Sequence, residues 1–185
     1  MANKRNRGTQ GQNLVKKLVS PLNRNQDRVL RSDNHLVLSG CAGSGKSFLA
    51  LNKAYAGLIS REFDKVIIIR SAVPTRDIGF LPGSVDEKCA VYEAPYKQIT
   101  NDLYGRGDAY DIMKTKKLVE FVPTSFIRGI TLDNTAIVVD EAQNMTLHEL
   151  DSVITRVGEG CLVIIIGDYK QADLPNNGFK QFLTI

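Results

Sequence analysis

The stretch Gly40-Cys41-Ala42-Gly43-Ser44-Gly45-Lys46-Ser47 reads G-x-x-x-x-G-K-S, a spacing suited to holding the phosphates of a nucleotide. In such a loop the phosphate oxygens are met by backbone N–H groups, so side chains must stay clear. Gly43 and Gly45 permit the tight wrap and any positive φ it requires. A helix beginning near Lys46 adds free N–H groups and the positive end of its dipole. Lys46 would reach the β- and γ-phosphates, and Ser47 would set its hydroxyl on Mg²⁺. The nucleotide-contacting set is therefore Gly40, Cys41, Ala42, Gly43, Ser44, Gly45, Lys46, Ser47 and Phe48. The plain alternative is a glycine-rich turn before an ordinary helix; the order strand, motif, helix argues against it.

Two further stretches carry chemistry. Ile137-Val138-Val139 delivers Asp140 and Glu141 at the end of an apolar run. Asp140 could hold Mg²⁺ together with Ser47, and Glu141 could orient or deprotonate an attacking water. Phosphoryl transfer to water needs charge neutralisation and an in-line nucleophile more than covalent help from the protein. An Asp-Glu pair alone is common on surfaces; downstream of a phosphate loop and after β-branched residues it gains weight. The third stretch is Gly167-Asp168-Tyr169-Lys170-Gln171. Gln171 could touch the γ-phosphate or the attacking water, the alternative being a surface turn closed by Pro175.

These loops need elements to hold them. His35–Ser39 has strand length, and Phe48–Ile59 has helical apolar spacing. Lys65–Arg70 is a strand apolar on both faces, as in a parallel sheet covered by helices. The spacing predicts a helix over Asp86–Tyr104, with Pro95 kinking or interrupting it, then a loop at Gly105–Asp108. Further strands are expected at Leu118–Val122, Thr135–Asp140 and Cys161–Ile166. Thr146–Val157 reads as a helix with Thr146 and Glu149 as a capping box. Asn13–Val19 reads as one or two amphipathic turns, and Ser20–Asn23 as a helix start with Pro21 in the first turn, before a short helix over Gln26–Arg31. Alternating strands and helices predict an α/β fold, a mainly parallel five-stranded sheet covered on both faces.

At 185 residues, 43% hydrophobic and 24% charged, the composition is that of a globular protein with a substantial core. Residues 1–12 read as a basic flexible tail and 13–185 as a single domain. No apolar run approaches a membrane span. Cys41, Cys89 and Cys161 are odd in number and form no C-x-x-C, which argues against a disulfide framework or zinc site and for a reducing cytoplasm. The net charge of +4 is compatible with nucleic acid, and the basic N-terminus is either a phosphate-contacting arm or a solvated tail.

Taken in register, these segments resemble the PhoH-like family of P-loop ATPases, related to the first RecA-like domain of superfamily 1 helicases. The carriers are Leu22-Asn23-Arg24-Asn25-Gln26, the phosphate loop, Ile69-Arg70-Ser71-Ala72-Val73, Gly79-Phe80-Leu81-Pro82-Gly83, Ile127-Arg128-Gly129-Ile130-Thr131-Leu132, Asp140-Glu141-Ala142-Gln143-Asn144, Thr155-Arg156-Val157-Gly158, and Gly167 through Pro175. The resemblance implies a RecA-like P-loop fold, ATP and Mg²⁺ as cofactors, and Gln26 as the reader of adenine. It also implies that Arg70 and its loop border nucleotide and nucleic acid, that RNA or single-stranded DNA is a partner, and that the chain assembles into a homo-oligomer such as a hexameric ring. Two departures stand out. Ile130 replaces a basic residue of the family's Arg-Gly-Arg-Thr pattern, and the family's later arginine-bearing motif would lie beyond Ile185, as in a short phage-type version or a fragment. Arg128 and Arg156 are candidate substitutes for that arginine.

The leading expectation is thus an ATPase acting with RNA or single-stranded DNA, with Lys46, Glu141 and Gln171 as its catalytic residues. A P-loop kinase of a small molecule is a competing class, although Gly105–Asp108 makes a poor lid. An ATP-dependent switch with negligible turnover is the third.

Overall fold

The computed structural model describes residues 14–71, 85–168, 170 and 178–184. The basic tail, the turn at Gly79–Gly83 and Gln171 lie outside the described residues. Five strands, β1 (Leu36–Ser39), β2 (Lys65–Arg70), β3 (Val119–Pro123), β4 (Thr135–Asp140) and β5 (Leu162–Gly167), form one sheet in the order β1-β5-β4-β2-β3. Every pairing in it is parallel. Pro123 ends β3, where a residue without an N–H is tolerated because β3 is an edge strand.

The consecutive β-branched residues of the inner strands are explained by two separate cores. Val66, Ile68, Ala136, Val138, Ile164 and Ile166 face one core. Ile67, Ile69, Ile137, Val139, Val163 and Ile165 face the other. The first is closed by α2 (Lys46–Ser60), α3 (Val85–Tyr104) and α4 (Ala109–Thr115). The second is closed by α5 (Leu147–Ile154) and α6 (Gly178–Phe182). α1 (Arg24–Arg31) precedes β1 and buries no residue fully.

Several local expectations change. The segment from Leu14 to Val19 forms no helix. Leu14 and Val19 pack on the first core, the Lys17 N–H donates to the Leu103 carbonyl at 2.7 Å, and the Lys16 ammonium donates to Asn52 Oδ1. Asn23, not Pro21, starts α1: its side chain caps the Gln26 N–H at 3.0 Å. α3 runs through Pro95 without interruption. The carbonyl one turn earlier, at Val91, loses its usual donor, and Val91 is exposed to water. Helices α4 and α6, seven and five residues long, have no counterpart in the sequence reading. α4 is held by burial of Tyr110 and Met113, and by Glu93 of α3, which accepts from the Tyr110 hydroxyl at 2.6 Å and from Lys114 at 2.6 and 2.8 Å.

The start of α5 ties the ends of β2 and β3 together. The expected capping box is present, Thr146 accepting from the Glu149 N–H and Glu149 from the Thr146 N–H. Glu149 Oε1 also accepts from Thr124 Oγ1 at 2.7 Å, just past β3, and from Ser71 Oγ at 3.2 Å, just past β2. Burial alone would raise this carboxyl; the Thr146 N–H and the hydroxyls of Thr124, Thr146 and Ser71 outweigh it and hold the group below its ordinary value. A depressed carboxyl contributes stability above its unfolded value that is lost as pH falls through the folded one. Glu149→Gln is therefore expected to lower stability at pH 7 by about 0.5–1 kcal/mol, allowing for screening of a half-buried group. The deficit should vanish below the folded value. Urea unfolding of both chains from pH 7 down through the acidic range checks this.

Candidate functional site

Because all five strands run in one direction, their carboxyl ends share one side of the sheet. β5 separates β1 from β4, so the loops after β1, β5 and β4 lie next to one another, and the Gly40 N–H reaches the Gly167 carbonyl at 3.4 Å. This is the place where open parallel sheets bind ligands.

The phosphate loop bends as its glycines suggest. Gly43 and Gly45 have φ of 76° and 79°, and a Cβ on either would meet nothing within 4 Å. Gly45 caps α2 without any side-chain hydrogen bond, so the free N–H groups of the first turn have no side-chain cap among the described residues. Lys46 folds back over the loop, its ammonium donating to the carbonyls of Gly40 at 2.7 Å and Cys41 at 2.8 Å. Ser44 Oγ also donates to the Cys41 carbonyl at 2.8 Å. The Cys41 side chain is exposed.

Beside the loop, Ser47 Oγ donates to Asp140 Oδ2 at 2.8 Å. Asp140 is buried, and its Oδ1 accepts from the Glu141 N–H at 2.9 Å. A carboxylate has about four acceptor sites, and these two donors leave part of that capacity free. Among the described residues no three His, Cys, Asp or Glu side chains cluster. One carboxylate and one hydroxyl next to a phosphate site is nevertheless the donor set suited to Mg²⁺, which takes few protein ligands alongside phosphate oxygens and water. A cavity of about 300 Å³ opens here, lined among others by Gly43, Lys46, Ser47, Phe48, Asp140 and Glu141.

Glu141 has φ 55° and ψ 40°, a left-handed conformation for a residue with a side chain. Such a backbone costs about 1–2 kcal/mol and persists where surrounding bonds over-determine it. Here Gln143 supplies them. Its amide nitrogen donates to Glu141 Oε2, and its Oε1 accepts from the Asp168 N–H at 3.0 Å. The Asn144 N–H adds a bond to the Glu141 carbonyl at 2.9 Å. Gln143 and Asp168, both buried, thus join the loops after β4 and β5. The sequence reading quotes both residues and gives neither a role. Their adjacency to Asp140-Glu141 and to the last strand is the only signal it holds.

On the other side of the phosphate loop a cavity of about 490 Å³ is lined by Asn23, Gln26, Leu36, Ser39, Gly40 and Lys46 among others. Gln26 is therefore in the wall of a space adjoining the loop. Its Oε1 accepts from the Leu22 N–H at 2.7 Å, so any contact with a base from that oxygen competes with a backbone donor. The two candidate arginines separate. Arg128, past the carboxyl end of β3, donates from its guanidinium to His148 Nε2 at 2.9 Å. Arg156 is at the opposite end of the strands, in the turn before β5 where its carbonyl accepts from the Leu132 N–H at 2.9 Å. No helix among the described residues is long and apolar enough to cross a membrane.

Comparison with known proteins agrees with this geometry. The family described as PhoH-like protein matches residues 18–185. A PhoH-like protein of Bacillus subtilis is 38% identical over 154 residues, 82% of this chain and 48% of that protein. Protein PhoH of Escherichia coli K12 is 35% identical over 150 residues, 80% of this chain and 42% of its own length. A PhoH-like protein of Synechocystis is 39% identical over 138 residues, 74% and 42% of the two chains. The chain spans less than half the length of these relatives. With a phosphate loop after β1, a strand between it and the Asp140 strand, and a family match over nearly the whole sequence, the chain belongs to the PhoH family of P-loop NTPases.

Proposed function

We propose that this chain is an ATPase whose hydrolysis is coupled to RNA or single-stranded DNA. The observation that carries the reading is the convergence of Ser47, Asp140 and Glu141 beside a phosphate loop whose helix start has no side-chain cap among the described residues. In this reading Gly40–Phe48 cradle the phosphates and Gln26 meets the adenine. Ser47 and Asp140 hold Mg²⁺, which when bound neutralises charge on the phosphate oxygens. Glu141 takes the proton of the attacking water and is aimed by Gln143. Gln171 is assigned contact with the γ-phosphate. Residues 13–185 act as one domain, in the cytoplasm, after a basic tail. A single RecA-like unit can remodel a strand only against a second unit, which supports action as a homo-oligomer, such as a hexameric ring.

One feature favours a second reading, a binding switch with negligible turnover. Lys46 and Glu141 are both engaged by the protein itself, with the loop carbonyls and with Gln143. Release of phosphate from ATP, with and without single-stranded RNA and DNA, separates the two. A nucleic-acid-stimulated rate, with subunits assembled, is the expected result. Tight ATP binding with no release under any condition would replace the ATPase with the switch.

A further inference from the structure

Arg70 is the last residue of β2 and the register partner of Asp140, the last residue of β4. Side chains alternate along a strand, so register partners of a parallel pair point to the same face. Val66 and Ile68 on β2, and Ala136 and Val138 on β4, face the first core, under α2 and α3. Two and four residues on from these, Arg70 and Asp140 project from that same face. It is the face that carries the helix of the phosphate loop. Two contacts agree with this. Asp140 accepts from Ser47 of α2 at 2.8 Å, and the Arg70 guanidinium is over the Tyr92 ring of α3, 5.3 Å from its centroid.

Charged side chains drawn out of water are ordinarily paired. Arg70 is half-buried, yet among the described residues it makes no ion pair, with Asp140 or with any other carboxylate. Asp140 is turned to Ser47 and to the Glu141 N–H instead. The guanidinium rests on a ring face, a contact weak beside a charge-assisted bond to phosphate. Neighbouring strands are about 4.8 Å apart, and an arginine side chain is longer than that. From one strand beyond Asp140, Arg70 is therefore within reach of the cavity that Asp140, Glu141, Lys46 and Ser47 line. Arg128 is occupied by His148.

Resting on the ATPase reading above, we propose that Arg70 is a catalytic residue of the hydrolysis, an arginine that the chain supplies to its own site. Its guanidinium leaves the Tyr92 ring and donates to the γ-phosphate of bound ATP as that group passes to water. In this step the water oxygen bonds to the γ-phosphorus, the bond from that phosphorus to the β–γ bridging oxygen breaks, and the water proton goes to Glu141. ADP leaves with the electron pair of the broken bond on its terminal oxygen. Charge on the transferring group is what a planar cation with paired donors stabilises.

The test compares the wild-type chain with Arg70→Ala and Arg70→Lys. Aluminium fluoride added to ADP and magnesium mimics the phosphoryl group in transfer. Arg70→Ala is expected to slow single-turnover phosphate release about a thousandfold and to weaken binding of ADP with aluminium fluoride about a hundredfold. Its affinity for ADP alone should be unchanged, which also shows that the site is folded. Should Arg70→Ala fail to bind ADP, Arg70→Lys carries the same test. It keeps the stem and the charge but not the fork, and a loss of analogue binding of about tenfold is expected. Wild-type analogue affinity in the variant that binds ADP would overturn the proposal alone. So would a loss confined to nucleic-acid-stimulated release, which would assign Arg70 to the strand. No phosphate release by the wild-type chain under any condition would overturn the ATPase reading, and this proposal with it.

Discussion

Glu141→Gln should bind ATP as the wild-type chain does and turn it over about a thousandfold more slowly. A positioned general base contributes typically 10²–10⁴ in rate, and an amide cannot take the proton of the attacking water. The substitution is unusually clean here. The Gln143 amide nitrogen that donates to Glu141 Oε2 can donate equally to a glutamine carbonyl. The bond from the Glu141 N–H to Asp140 is untouched. Glutamine is no worse than glutamate at φ 55°, so the backbone strain is the same in both chains. A companion, Glu141→Gly, relieves that strain but leaves the buried Gln143 amide without its acceptor, so it should be equally inactive with no net gain in stability. Single-turnover phosphate release and equilibrium ATP binding, measured on both variants, check the pair. If Glu141→Gln hydrolyses at the wild-type rate, Glu141 is not the base.

The parts of this site that were legible in the sequence are those made of neighbours. The phosphate loop is eight consecutive residues, and Asp140-Glu141 follows directly from its strand. β2 and β4 were readable to the residue because a strand buried on both faces must be apolar throughout. What escaped the sequence depends on distance along the chain. The clamp on Glu141 joins Gln143 to a backbone N–H 25 residues away. Tyr96 stacks on Phe121, 25 residues on, only because α3 packs against β3. Short helices such as α4 carry too few residues for a periodic signal, and packing rather than propensity forms them. The irregular run at Leu14–Val19 misled for a related reason. Over so few residues the inward Leu14, Lys16 and Val19 fit a helical spacing and a strand-like one nearly equally.

The resting position of Lys46 was not legible either, and it sets the second large effect. Lys46→Ala should weaken ATP and ADP binding about a hundredfold and leave AMP binding unchanged. In the ligand-free chain the ammonium is satisfied by the Gly40 and Cys41 carbonyls, so those bonds are exchanged for phosphate bonds on binding. The gain comes from replacing neutral acceptors with charged ones, each charge-assisted bond contributing about 1.5–3 kcal/mol. Because the donor is charged in both states, the net gain is the added attraction of anionic oxygens over neutral carbonyls, and about 3 kcal/mol of it would correspond to roughly two decades in affinity. AMP carries no phosphate beyond the first and should not sense the loss. Lys46→Arg is not expected to restore binding. Its planar fork suits a bidentate partner, whereas the ammonium at rest meets two carbonyls of one tight loop. Calorimetric titration of the three nucleotides against all three chains distinguishes this from a general collapse of the loop, which would weaken AMP as well. A Lys46→Ala chain that binds ATP at wild-type affinity would remove the phosphate-loop reading, and with it the reason to assign any role to Glu141.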